Sequence, residues 1–125
     1  MPISFVKTTP ILRMFSVEKT REFYLGFLGF KVDWEHRFEP ALPLYMQISR
    51  GDFILHLTEH HGDCTPGGKV FVEMTGVAEL HAELTAKNYN YLRPGLEREA
   101  WGASTLTVTD PCMNRIIFVE RDPDA

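Results

Sequence analysis

The chain has 125 residues, 44% of them hydrophobic and 24% charged, ordinary proportions for one globular domain with a real core. Its formal net charge of −4 argues against nucleic acid, which needs a basic face, and mildly favours a cationic guest. Two cysteines are too few for a disulfide framework, no apolar run approaches the ~20 residues of a membrane span, and the N-terminus is not leader-like, so a cytoplasmic protein is expected.

In chain order, Ser4 to Phe15 reads as a strand interrupted by Pro10, which lacks an amide donor and belongs at an edge, a bend or a crossover. Ser16 is placed to cap an amphipathic helix from Val17 to Leu28, which Gly29 ends. Phe30 to His36 is a strand, followed by a loop holding Pro40 and Pro43. Leu44 to Ile48 and Phe53 to Thr58 form a hairpin around Arg50-Gly51-Asp52. Glu59 to Gly68 is a polar, Gly/Pro-containing hinge. Val70 to Thr75 is a strand and Val77 to Lys87 a second amphipathic helix behind Gly76. Tyr91 and Leu92, then Ala103 to Thr109, then Ile116 to Glu120 supply the remaining strands.

This order is a repeat. Val17 answers to Val77 and Met14 to Met74, both at an offset of 60 residues, and His56 answers to Ile117 at an offset of 61. Two strand–helix–strands units, over about residues 1–60 and 68–122, imply a pseudo-twofold α+β fold with a site between the copies. Strand alternation then sorts the side chains. Leu55, Leu57, Ile116 and Phe118 belong under the helices, with Leu12, Met14, Val72 and Met74. The more mixed set, Thr9, Ile11, Arg13 and His56 with Lys69, Phe71, Glu73 and Ile117, is left to line a cavity.

Four stretches resemble the glyoxalase/bleomycin resistance/dioxygenase (vicinal oxygen chelate) superfamily: Phe23-Tyr24-Leu25-Gly26-Phe27-Leu28-Gly29-Phe30, Asp110-Pro111-Cys112-Met113-Asn114, Trp101-Gly102 before a strand, and Arg50-Gly51-Asp52 before Phe53-Ile54-Leu55-His56. Met113 stands where the family turn usually has glycine. The resemblance covers nearly the whole chain and is closest to the bleomycin-resistance-like branch. It implies paired βαβββ modules forming a curved-sheet cradle, and a homodimer, often with the first strand exchanged at a proline such as Pro10.

Enzymes of that superfamily hold a divalent metal at four positions that match about Thr9, His56, Lys69 and Ile117. Only His56 is a competent ligand, so the resemblance implies a metal-free protein without cofactor, with an off-pattern His56–Glu73 site as the remaining metal possibility. Against bleomycin-resistance proteins, Trp34 and Phe38 fall where that branch has ring-stacking phenylalanines, and Trp101 where it has a cleft tryptophan. Stacking suits a flat conjugated guest, and ring faces also suit a cation; the plainer role for Trp34 is an ordinary strand residue in a core.

Other clusters have plain readings. Glu59 and His60-His61-Gly62-Asp63-Cys64 have a metal-like composition but no standard spacing, and read as a solvated loop. His81 reads as a helix residue, and Cys112 would be reactive only with a lowered pKa. Arg13 and Glu73, at equivalent places in the two copies, either pair with each other or contact a ligand.

The expectation is a dimeric, metal-free protein that binds and sequesters a small molecule such as a bleomycin-like antibiotic. Its ligand-binding residues would be Trp34, Phe38, His56, Trp101, Arg13, Phe71, Glu73 and Ile117. The alternatives are a metal-dependent lyase or dioxygenase, and a non-catalytic regulatory or immunity module.

Overall fold

A computed structural model describes residues 2–124. Its elements are β1 (Ile11–Arg13), α1 (Val17–Arg21) continuing as a π-helical segment (Glu22–Phe27), β2 (Lys31–His36), β3 (Tyr45–Arg50), β4 (Phe53–Thr58), β5 (Lys69–Glu73), α2 (Val77–Ala86), β6 (Leu96–Glu99), β7 (Ala103–Thr109) and β8 (Arg115–Arg121). They form two four-stranded sheets of equivalent order, β1-β4-β3-β2 and β5-β8-β7-β6. In each, the opening strand runs parallel to the last strand of its own half, and the remaining pairs are antiparallel. Ile11 lies opposite His56, and Phe71 opposite Ile117, so the repeat is present in the register.

One side of each sheet packs beneath its helix. Leu12, Met14, Met46, Ile48, Leu55 and Leu57 from the first sheet join Leu106, Val108, Ile116 and Phe118 from the second in one buried cluster with Phe23, Tyr24, Phe27, Val77, Leu80 and Leu84. Phe53 meets Phe118 edge-on across the join, with ring centroids 6.1 Å apart. The inner sides of both sheets are thus sealed into a common core, and their outer sides lie away from it.

The sequence expectations fail at three places, each for a physical reason. Only Ile11–Arg13 of the expected Ser4–Phe15 strand is in a sheet. The ladder begins where the Pro10 carbonyl accepts from the His56 amide at 3.0 Å, and the described residues before it pair with no described strand. Ile3, Phe5 and Val6 there are almost wholly exposed.

The first helix keeps α geometry only to Arg21; Leu28 then donates its amide to Phe23 O, five residues back, at 2.9 Å. The wider turn brings Phe23, Tyr24, Phe27 and Leu28 all to the core. Ser16 does cap the helix, accepting from the Lys19 amide at 3.1 Å. Finally, Tyr91 and Leu92 are not in a strand, and the missing strand is Leu96–Glu99. Exposed along most of its length at a sheet edge, that segment has no apolar alternation to betray it.

The Asp110–Asn114 turn ties the halves together. Asp110 accepts from the Tyr24 hydroxyl at 2.7 Å, from the amides of Cys112 and Asn114, and from Asn114 Nδ2. Asn114 in turn accepts from the amides of Gly67 and Gly68 and donates to Arg13 O at 2.8 Å. The two strongest family-like motifs therefore hold the fold and leave the outer faces to other residues.

Candidate functional site

The outer face of the first sheet is built around His56. Its Nδ1 lies 2.7 Å from the Tyr45 hydroxyl and its Nε2 lies 2.9 Å from Gln47 Oε1. A neutral ring satisfies both, with the hydroxyl donating to Nδ1 and the Nε2–H donating to the amide oxygen. Partial burial, reinforced by the Lys7 ammonium, lowers the His56 pKa from its ordinary 6.5 and so favours that neutral form.

The register of β2 against β3 shifts between Val32 and Trp34, a bulge that turns both Asp33 and Trp34 toward this face. Asp33 accepts from Lys31, Gln47 and Ser49, bonds that hold its pKa down at about 2, the Lys31 bond foremost. Trp34, 42% exposed, lies parallel to the Tyr45 ring at 5.9 Å and edge-on to His56 at 5.2 Å. The face thus offers a flat indole braced by a phenol and an imidazole whose own polar atoms are already bonded.

The outer face of the second sheet carries a different set. Phe71 and Trp101 are each about half exposed. Trp101 sits in the turn closed by the Gly102 amide donating to Glu99 O at 3.1 Å, with Gly102 at φ +92°. The Arg121 guanidinium lies 5.9 Å from the Phe71 ring centre and 5.5 Å from that of Trp101, and donates to Glu73 at 3.2 Å. Ile117, half-buried, lies between Phe71 and Thr107 in the ladder.

Six of the eight expected site residues fall into two groups. Trp34 and His56 share the first face, and Phe71, Glu73, Trp101 and Ile117 share the second. Phe38, 74% exposed in the loop after β2, touches His36 edge-on. Arg13, 8% exposed, corrects one expectation: it pairs with no carboxylate among the described residues. It donates to Met14 O at 2.6 Å and Thr58 O at 3.3 Å, beneath the Phe15 ring, while Glu73 bonds to Arg121.

Tyr45, Gln47 and Arg121 were missed in the sequence. Alternation along β8 from Ile117 would have found the third, whereas the first two follow only from the β3–β4 register.

A divalent metal does not fit these residues. Both His56 nitrogens are engaged within the sheet, and the other three matched positions are Thr9, Lys69 and Ile117, none of them a competent ligand. Among the described residues, no three His, Cys, Asp or Glu side chains are grouped to hold a metal ion. Burial pushes the thiols of Cys64 and Cys112 up, which disfavours the nucleophilic thiolate in both.

The profile of the family described as "Glyoxalase superfamily protein" matches residues 1–124, and the chain belongs to that superfamily. No curated protein matches it in sequence. Among solved structures it is similar to a bleomycin resistance determinant encoded on the transposon Tn5, with a TM-score of 0.72 and 20% identity over 94% of this chain and 98% of that one. It is also similar to the bleomycin-binding protein of Streptomyces verticillus in complex with copper(II)-bleomycin, with a TM-score of 0.70 and 24% identity over 94% and 97%. A glyoxalase-related enzyme from Clostridium phytofermentans gives a TM-score of 0.73 at 16% identity over 95% and 97%. The fold is thus that of bleomycin-resistance and glyoxalase proteins. No helix among the described residues is long and apolar enough to cross a membrane.

Proposed function

We propose that this chain binds and sequesters a flat, conjugated small molecule of the antibiotic kind, between the first outer face of one copy and the second outer face of another. The observation that carries the reading is the set of exposed rings, Trp34, Phe71 and Trp101, on sheet faces turned away from the core. Exposed indoles braced from behind are stacking platforms, and large exposed rings grouped on a face, as Phe71 and Trp101 are, mark a binding surface. Support also comes from the similar bleomycin-binding structures, and from a site whose histidine is neutral and bonded on both sides. Sequestration needs only complementarity and no nucleophile.

Calorimetric titration with bleomycin and related flat molecules tests this. Losing one stacking ring removes about 1–3 kcal/mol. Trp101→Ala or Trp34→Ala is therefore expected to weaken binding about 5- to 150-fold. His56→Ala should cost less, because its ring braces Trp34 and turns no free polar atom outward. Failure of every flat molecule to bind below about millimolar would sink the reading. A large loss at His56 with none at the tryptophans would redirect it to chemistry at the imidazole.

A further inference from the structure

We infer that the guest is a planar conjugated anion whose acidic group is received by Arg121, an inference that rests on the ligand-binding reading above. The net charge of −4 suggests the opposite sign, but a guest meets the local groups. On the second outer face the two rings that could stack on a flat guest, Phe71 and Trp101, already have a guanidinium over them, 5.9 and 5.5 Å from their centres. A cationic guest would have to displace Arg121 or lie against a like charge. A flat anion can instead stack on the guanidinium that overlies the rings, or on the ring area it leaves free, and pair with it.

The state of the polar atoms supports this. A guanidinium has five N–H donors in a fixed fork that suits a carboxylate or phosphate two at a time. Arg121 makes one side-chain hydrogen bond among the described residues, a single contact to Glu73 at 3.2 Å. Both partners are about half exposed, so solvent screens that pair and it resists a competing anion weakly.

Arg13, the cation of the first half, is nine-tenths buried and donates only to backbone carbonyls among the described residues. Two acids of these faces have partners within their own sheets, while Glu97, on the second face opposite Thr105, has none among the described residues. Asp33 accepts from Lys31, Gln47 and Ser49, and Glu99 accepts from the Thr105 hydroxyl at 2.9 Å. Lys69 and Arg115, opposite each other at the other end of the second sheet, and Lys7 near His56 add positive charge. Beside the two rings, Arg121 is thus the cation with donors to spare.

Three probes of one shape isolate charge: anthracene-9-carboxylate, anthracen-9-ylmethylammonium and the neutral anthracen-9-ylmethanol, titrated into the full chain at low salt. The carboxylate is expected to bind at least about tenfold tighter than the ammonium, a difference of ~1.4 kcal/mol. Arg121→Gln should erase that preference while still binding the neutral probe, and Arg121→Lys should keep part of it. An ammonium that binds as well as the carboxylate, or a preference that survives in Arg121→Gln, overturns the inference and leaves the ligand-binding reading intact. If none of the three binds and the flat drugs fail as well, the ligand-binding reading falls and the inference with it.

Discussion

At the scale of single residues, the first outer face depends on the protonation of His56. Its pKa in the folded chain is lowered from 6.5, so below that pH the unfolded chain takes up the proton more readily. The stability that the neutral ring contributes is complete above pH 6.5 and is lost as pH falls through the lowered folded value. Urea midpoints at pH 7.5 and 5.5 check this. The fall between them should be smaller in His56→Gln than in the parent, and equal falls would assign the acid sensitivity to another group.

His56 itself was legible from alternation and from its match to Ile117. Its partners were not, because pairing across β3 and β4 depends on a register that no single strand specifies. Trp34 illustrates the same limit. Its outward orientation rests on a bulge, which shifts parity by one residue.

At the scale of elements, the Asp110–Asn114 turn shows what a motif can and cannot say. The sequence marked Met113 as standing in a glycine's place, and the structure gives the reason: its φ is +67°, in the left-handed region. A side chain there costs about 1–2 kcal/mol, against ~0.5–1 kcal/mol for the extra unfolded-state freedom of glycine. Met113 is exposed, so removing its side chain sacrifices little packing. Met113→Gly should therefore stabilise the protein by about 0.5–1 kcal/mol in urea unfolding, whereas a loss would mean that the turn is not strained.

The aromatic run Phe23 to Phe30 was readable as helix and core, but its π turn was not, since the apolar spacing it creates can also be read with α periodicity. Strand β6 left no apolar trace because it buries almost nothing. The mostly exposed β2 was readable all the same, and β6, which has no apolar alternation, was not.

At the scale of the whole molecule, both sheets spend their inner sides on one core, so a single chain cannot close a cavity over its outer faces. A second copy related by a twofold axis could cover both at once. The exposed Ile3, Phe5 and Val6 point the same way, since an apolar segment without partners in its own chain suits a surface on a neighbour. We expect a homodimer at micromolar concentration. Sedimentation should give a dimer for the full chain and a monomer, or a much weaker dimer, after deletion of residues 2–9. A parent chain that sediments as a clean monomer would rule this out.

If each closed cleft takes its first face from one copy and its second from the other, two damaged chains can restore a sound site between them. Trp34→Ala and Trp101→Ala disable opposite faces. In a mixed dimer one cleft inherits both lesions and the other inherits neither. Refolding the two variants together in equal amounts should make about half of the dimers mixed, and so return tight binding to about a quarter of all clefts. Either variant alone should show none. Such complementation would report the shared ownership of the site in solution, without any knowledge of the natural guest. A pair of half-faces that each worked within its own chain could never produce it.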